Sequence, residues 1–89
     1  MRTPEFTAQF KKDFKKIVAR GCDTSKLDEV SALLLKGEPL PRKYMDHALS
    51  NNWKHYRELH ITGDWLLVYK IVGDVIVFTR TGTHSDIFR

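Results

Sequence analysis

The hydrophobic pattern of this chain changes type once, near Pro41. Before that point apolar residues recur every three or four positions, as on one face of a helix, and after it β-branched and aromatic residues form short runs. Helices followed by strands are typical of an α+β domain, in which the helices cover one face of an antiparallel sheet. The 89 residues suffice for one domain, and we predict that it spans residues 1–89.

The first half predicts a short strand around residues 3–6 and then an antiparallel pair of amphipathic helices. Gly21 ends the first helix, and Asp23 or Thr24 caps the second, which Gly37 terminates. On the first helix the apolar face and the basic face are distinct. The inward residues expected are Phe6, Phe10, Phe14, Ile17 and Val18 on the first helix and Leu27, Val30, Leu33 and Leu34 on the second.

The second half predicts three strands, over residues 53–60, 65–71 and 75–81. Tight turns at Thr62–Asp64 and Gly73–Asp74 join them into an antiparallel meander. The expected fold is therefore a two-helix antiparallel hairpin packed on a small, mainly antiparallel sheet, in the order β-α-α-β-β-β.

Charge and histidine are distributed unequally along the chain. Residues 1–43 hold ten Lys and Arg against six acidic residues, whereas residues 44–89 hold five of each and all four histidines. A basic surface suits a polyanionic partner such as nucleic acid or an acidic protein. Lone Cys22 and the lack of an apolar run of membrane length predict a cytoplasmic protein without a disulfide, a metal or a membrane span.

The second half also carries an ordered series of motifs, D-H, W-K-x-Y-R, H-x-x-x-D-W, Y-K and R-T-G-T-H. In this order they resemble the YafQ-type toxins of the RelE superfamily, with the densest match from Pro39 to Phe88. The resemblance implies a ribosome-dependent endoribonuclease that needs no cofactor and cuts mRNA in the decoding site. It also implies a cognate antitoxin, in a complex that often holds two toxins and two antitoxins. The family's site positions fall on His47, His60, Asp64, Trp65, Arg80, His84 and Phe88.

The chemistry of these residue types agrees with metal-independent RNA cleavage. Histidine can take a proton from the 2′-hydroxyl or give one to the leaving 5′-oxygen near neutral pH, and arginine can offset charge on the phosphate. We therefore expect Arg80 to stabilise the transition state and Asp64 to orient a histidine. The sequence does not decide which of His47, His60 and His84 is acid and which is base, although His84 is the preferred proton-transfer residue. Arg80 shares strand parity with Ile76 and Phe78, which predicts a partly apolar surface beside it.

Other residues are candidates for RNA binding. The lysines of the first helix are expected to contact ribosomal RNA backbone, and an aromatic ring of the second half can stack on a base. Trp65 is equally well explained as a core residue. The full set of predicted RNA contacts is Lys11, Lys12, Lys15, Lys16, Lys54, Arg57, Trp65, Lys70 and Phe88.

Several alternatives stay open at this point. Arg80 can be a structural ion-pair partner, for example of Asp64 or Asp86, and His55 is expected to be a solvated surface residue outside the site. A ParE-like toxin that inhibits gyrase by binding, or a basic RNA-binding module without catalysis, would share the charge pattern. A zinc site built from the four histidines matches no standard ligand spacing.

Overall fold

The computed structural model describes residues 1–88 and contains one five-stranded sheet with three helices. The elements are β1 (Thr3–Phe6), α1 (Ala8–Ala19), α2 (Thr24–Lys36), β2 (His47–Ala48), β3 (Arg57–Thr62), β4 (Trp65–Val72), β5 (Val75–Gly82) and α3 (His84–Phe88). The strand order is β1-β5-β4-β3-β2, with β1 parallel to β5 and every other pairing antiparallel. The predicted α+β class and the two-helix hairpin on a mainly antiparallel sheet are confirmed.

The ends of the first two helices follow the local sequence. The Thr7 hydroxyl accepts a hydrogen bond from the Phe10 amide at 2.9 Å and caps α1, and Asp23 caps α2. Of the two caps proposed for α2, the structure uses Asp23. Gly37 closes α2 with φ of 73°, a conformation that glycine adopts without steric cost.

Two apolar clusters lie on opposite faces of the sheet. The larger one packs α1 and α2 against the sheet, and half-buried Cys22 contacts it. The smaller one consists of Leu66, Val68 and Ile87, and it joins α3 to the other face. That second face, which the two long helices leave uncovered, is the one that carries the histidines.

Some sequence expectations about individual elements are wrong. The strand predicted from residue 53 begins at Arg57, because a 3-10 turn occupies Asn51–Trp53 and His55 has a positive φ of 78°. Phe6 and Val18 were expected to face inward, yet they are 48% and 52% exposed. The strand β2 and the helix α3 were not predicted.

A β-bulge at residue 79 changes the side of the sheet on which Arg80 lies. Tyr69 pairs with Phe78, but the next residue of β4, Val68, pairs with Arg80. Arg80 therefore shares the face of Val68 and not that of Ile76 and Phe78, which corrects the parity expected from the sequence. Among the residues described, no helix has the length and apolar character needed to cross a membrane.

Candidate functional site

A row of four residues crosses the sheet on the face opposite α1 and α2. His47 of β2 pairs with Glu58 of β3, Glu58 with Val68 of β4, and Val68 with Arg80 of β5. His60 lies two residues beyond Glu58 on the same strand and therefore on the same face. His84 reaches this face from the first residue of α3.

Glu58 lies at the centre of the three histidines. Its Oε1 is 3.7 Å from Nε2 of His47, 3.6 Å from Nε2 of His60 and 3.9 Å from Nε2 of His84, while the residue is only 4% exposed. The three Nε2 atoms are thus the polar groups that surround this buried carboxylate. The sequence analysis missed Glu58, although its strand parity with His60 was a usable signal.

The other nitrogen of each ring has its own polar neighbour. Nδ1 of His47 lies 2.8 Å from the Met45 carbonyl, and Nδ1 of His60 lies 3.4 Å from the Gly63 carbonyl. A proton on Nδ1 satisfies these contacts, which leaves Nε2 of a neutral ring as a proton acceptor. All three rings thus present Nε2 to the shared space beside Glu58.

His84 differs from the other two because its Nδ1 neighbour is a carboxylate. Asp64, in the turn between β3 and β4, places Oδ1 2.9 Å from Nδ1 of His84. The hydrogen bond from His84 holds the pKa of the Asp64 carboxyl below its usual value. Asp64 therefore stays ionised and holds the His84 ring through this hydrogen bond, which is consistent with the orienting role predicted for it.

A second polar network fixes the short strand that bears His47. Arg57 donates two hydrogen bonds to Oδ2 of Asp46, at 2.7 and 3.1 Å, and the Tyr69 hydroxyl donates to Oδ1 of the same carboxylate. Burial together with this bond to Asp46 raises the pKa of Tyr69. Arg57 was predicted to contact RNA, but its guanidinium is engaged in holding Asp46 beside His47.

Arg80 is likewise engaged within the protein. Its Nε donates to Asp13 Oδ2 at 2.8 Å, and its Nη2 donates at 3.2 Å to both Asp13 Oδ1 and the Asp86 carbonyl. Burial raises the pKa of Asp13, but the hydrogen bonds from Arg80, Gln9 and the Thr81 amide outweigh it, and the net direction is downward. The ion-pair alternative therefore describes Arg80 in this structure, with Asp13 as the partner in place of Asp64 or Asp86.

The two aromatic residues predicted to stack on RNA lie in different environments. Trp65 is 7% exposed in the larger core and donates its indole N–H to the Thr81 hydroxyl, so its ring has no free face for a base. The structure thus places Trp65 in the core, which is the alternative that the sequence left equally open. Phe88 is half-buried, packs edge-on against Trp53 and lies 5.9 Å from the His84 ring, beside a recess of about 270 Å³.

The predicted basic contacts remain at the surface, with the exception of Arg57 and Lys70. Lys70 is half-buried and lies over the Tyr56 ring at 5.1 Å. His55 is exposed and does not belong to the histidine cluster. The exposed lysines are Lys11, Lys12, Lys15, Lys16 and Lys54.

The described part of the chain holds no group of three or more His, Cys, Asp or Glu arranged to hold a metal ion. What the cluster offers is a set of imidazoles in defined orientations around one carboxylate. Such a set is suited to acid–base chemistry on a substrate bound across the uncovered face.

Comparison with known proteins gives a consistent result over the whole chain. A family model described as a bacterial toxin of type II toxin–antitoxin system, YafQ, matches residues 2–89. The mRNA interferase toxin YafQ of Escherichia coli strain K12 is 41% identical over 88 residues, which cover 98% of this chain and 96% of that protein. The putative toxin YafQ of Haemophilus influenzae is 37% identical over 88 residues, covering 91% and 86% respectively.

Solved structures agree with the fold in detail. A copper-bound mutant toxin from Helicobacter pylori superposes with a TM-score of 0.95 at 42% identity, covering 99% of this chain and 100% of that chain. In the E. coli DinJ–YafQ complex, the matching chain has a TM-score of 0.92 at 41% identity, and coverage is 100% for both chains.

Proposed function

The chain belongs to the YafQ family of bacterial toxins of type II toxin–antitoxin systems, and from this premise we propose that it is an endoribonuclease that cleaves mRNA on the ribosome. Its E. coli relatives bear the name mRNA interferase toxin. The proposal includes ribosome dependence and chemistry that needs no metal. A cognate antitoxin is the expected partner, as DinJ is for the E. coli protein.

The observation that carries the proposal is the convergence of three Nε2 atoms on buried Glu58, within 3.6 to 3.9 Å. A surface that only binds RNA or protein does not need three imidazoles fixed through Nδ1 with Nε2 directed to one point. Acid–base cleavage does need them, since a proton must leave the 2′-hydroxyl while another reaches the 5′-oxygen.

We assign the acid to His84 and the base to His60. Nδ1 of His84 faces the ionised carboxylate of Asp64, whereas Nδ1 of His60 faces a neutral carbonyl. His60 accepts the proton of the 2′-hydroxyl, whose oxygen attacks phosphorus, and His84 donates its Nε2 proton to the departing 5′-oxygen. The products are a 2′,3′-cyclic phosphate and a free 5′-hydroxyl, and His47 binds the phosphate.

The surface charge supports a ribosomal setting. The lysines of α1 are exposed, and basic side chains on one helix bind an RNA backbone without regard to sequence. The antitoxin must compete with RNA for the basic surface of this protein. We therefore expect the antitoxin to have an acidic segment that folds onto that surface.

The test is primer extension on a defined message in a purified translation system. The wild-type protein is expected to cut only when ribosomes are present, and His84→Asn and His60→Asn are each expected to lower the rate on the order of 10²- to 10⁴-fold. His55→Asn is the matched control, because His55 is exposed outside the cluster and asparagine tolerates its positive φ. If the wild type blocks growth or gyrase without cutting RNA, the protein is a binding inhibitor and the proposal fails.

The acid and base assignments have a separate test. A message with sulfur in place of the bridging 5′-oxygen at the cleaved bond has a leaving group that needs little protonation. We expect this substrate to restore cleavage by His84→Asn but not by His60→Asn. The opposite pattern of rescue would exchange the two roles.

A further inference from the structure

The helix α3 carries His84 but is only five residues long. A helix of this length is not stable by itself, so its position depends on contacts with the rest of the protein. Ile87 packs in the smaller core, and Thr83 and Asp86 cap each other, with the Thr83 amide donating to Asp86 Oδ2 at 2.9 Å. These contacts form the helix, but they do not tie it to the opposite side of the sheet.

Two charged residues of the α1 region provide that connection. Arg20, which caps the C-terminus of α1, donates to both carboxylate oxygens of Asp86, at 2.6 and 3.0 Å. Asp13, in the middle of α1, binds Arg80, and Arg80 in turn donates to the Asp86 backbone carbonyl at 3.2 Å. The side chain and the main chain of Asp86 are thus held from the same helix.

Asp13 is placed where the edge of β5 is open. The parallel partner β1 ends at Phe6, opposite Phe78, and the Thr7 amide makes the next contact, to the Phe78 carbonyl. Beyond this point Asp13 takes the place of a strand, because its Oδ2 accepts the Thr81 amide at 3.2 Å. A polar residue on the buried face of a helix otherwise costs stability, and this arrangement satisfies it fully.

We propose that Asp13 and Arg20, acting through Arg80 and Asp86, are positioning residues that fix α3 and thereby hold His84 against Glu58 and Asp64. The inference rests on the proposed nuclease function for its effect on cleavage. It gives Arg80 a role in holding α3, in place of a direct contact with the phosphate. The geometry supports this because Nε and Nη2 of Arg80 already donate hydrogen bonds to Asp13. The same two groups would be needed to bind a phosphate in a bidentate manner.

The two roles of Arg80 predict opposite results when Asp13 loses its charge. If Arg80 holds α3, then Asp13→Asn and Arg80→Met both displace His84, and a displacement of about 1 Å can lower cleavage on the order of 10²-fold. The double variant is then no less active than the less active single variant, because both changes break one connection. If Arg80 instead binds the phosphate, Asp13→Asn frees its guanidinium and cleavage stays unchanged or rises, which overturns the proposal.

A second readout does not depend on cleavage. The hydrogen bond from His84 holds the pKa of Asp64 below its usual value, and NMR of the Asp64 carboxyl carbon can be used to follow this pKa in the variants. In Asp13→Asn this pKa is expected to rise toward its usual value as His84 moves away, even if the wild-type protein proves not to cut RNA. Unchanged Asp64 titration in a less stable Asp13→Asn protein would show that Asp13 is merely structural.

Asp28→Asn provides the matched control, since it makes the same chemical change at an exposed position of α2. If Asp13→Asn does not fold, Arg20→Gln provides the test of the proposal. Arg20 is exposed, and its replacement removes only the contact to the Asp86 side chain. We expect a cleavage loss of about tenfold in Arg20→Gln, with a partial rise in the Asp64 pKa. Wild-type values for both quantities in that variant would contradict the proposal.

Discussion

Glu58 is the buried residue around which the three histidines of the site are arranged. It is almost completely buried, and the Nε2 atoms of all three histidines face its Oε1. Burying a carboxylate costs stability unless polar or positively charged groups compensate it, and the three imidazoles are the groups that surround Glu58. We therefore expect Glu58 to organise the site at a cost in stability.

Glu58→Gln should separate these two effects. The amide keeps the shape of the side chain but removes its charge, so we expect cleavage to fall on the order of 10²-fold while the melting temperature is not lowered. Primer extension rates and thermal unfolding of the same preparation measure both quantities. Loss of stability with cleavage per folded molecule unchanged would mean that Glu58 is structural.

At the scale of residues, the sequence identified side chains better than it identified their partners. The residues His47, His60, Asp64 and His84, which the sequence singled out, lie close together in the structure, and Asp64 contacts a histidine. Asp13 could not be chosen from the chain, because an acidic residue on a helix is normally solvated, and burial depends on residues far away in sequence. Glu58 could have been placed on the face of His60 by strand parity, but its burial could not have been predicted.

At the scale of elements, α3 is the part of the fold on which the site depends most. It follows directly from β5 through Gly82, which has φ of 148°, and a Cβ atom at this position would lie 2.8 Å from Asp86 Oδ2. Glycine at this position therefore lets the chain turn while Asp86 stays close. The R-T-G-T-H motif thus combines a steric requirement with His84, to which we assign the acid in the proposed reaction.

Gly82→Ala is expected to destabilise the protein by about 1 to 3 kcal/mol and to abolish most of the cleavage, because the new methyl group displaces Asp86 and with it α3. Gly73→Ala is the matched control, since Gly73 also has a positive φ but has open space around it. It should lose stability but retain its rate of cleavage per folded molecule. Chemical denaturation and primer extension give the comparison, and equal cleavage losses in both variants would refute the steric explanation.

The anchoring of α3 should also depend on pH. Hydrogen bonds from Arg20 and the Thr83 amide hold the pKa of Asp86 well below its usual value of 3.8. A lowered folded-state pKa stabilises the protein above the unfolded-state pKa, and this stabilisation is lost as pH falls through the folded-state pKa.

We therefore expect Asp86→Asn to be less stable than the wild type by about 1 kcal/mol at pH 7, with allowance for the exposure of Arg20. The difference should persist to about pH 4 and shrink only below it. Urea denaturation at several pH values measures this, and a difference that disappears between pH 7 and pH 5 would point to a histidine as the source.

The elements that the sequence predicted are those with strong periodicity. The helices α1 and α2 and the strands β3 to β5 have repeating apolar faces, and Gly73–Asp74 marks a turn. The strand β2 is two residues long and is held by Asp46, while α3 has fewer residues than two helical turns. Whether such short elements form depends on tertiary contacts. The periodicity of apolar residues in the sequence gives no information about those contacts.

At the scale of the whole molecule, basic charge and chemistry occupy different surfaces. Four exposed lysines lie on α1, and the three histidines of the cluster lie on the sheet face that α1 and α2 do not cover. Binding to an RNA backbone and cleavage at one bond are therefore expected to be separable.

The double variant Lys12→Gln with Lys16→Gln should weaken ribosome binding without changing which codons are cut. In a plot of log affinity against log salt concentration, the slope should become shallower by about one for each phosphate that the variant no longer neutralises. Lys26→Gln with Lys36→Gln removes the same charge from α2 and serves as the control. Equal weakening in both pairs would indicate a nonspecific effect of net charge.

The parallel pairing of β1 with β5 has a consequence for the order in which the protein folds. It joins residues 3–6 to residues 75–78, and Asp13 meets Arg80 across a similar separation. Contacts between distant parts of a chain cost the most entropy to close, so local hairpins form first and these contacts form late. Because α3 takes its place only through them, we expect the nuclease to become competent in the final step of folding. A newly made chain is thus expected to be inactive until this last step is complete.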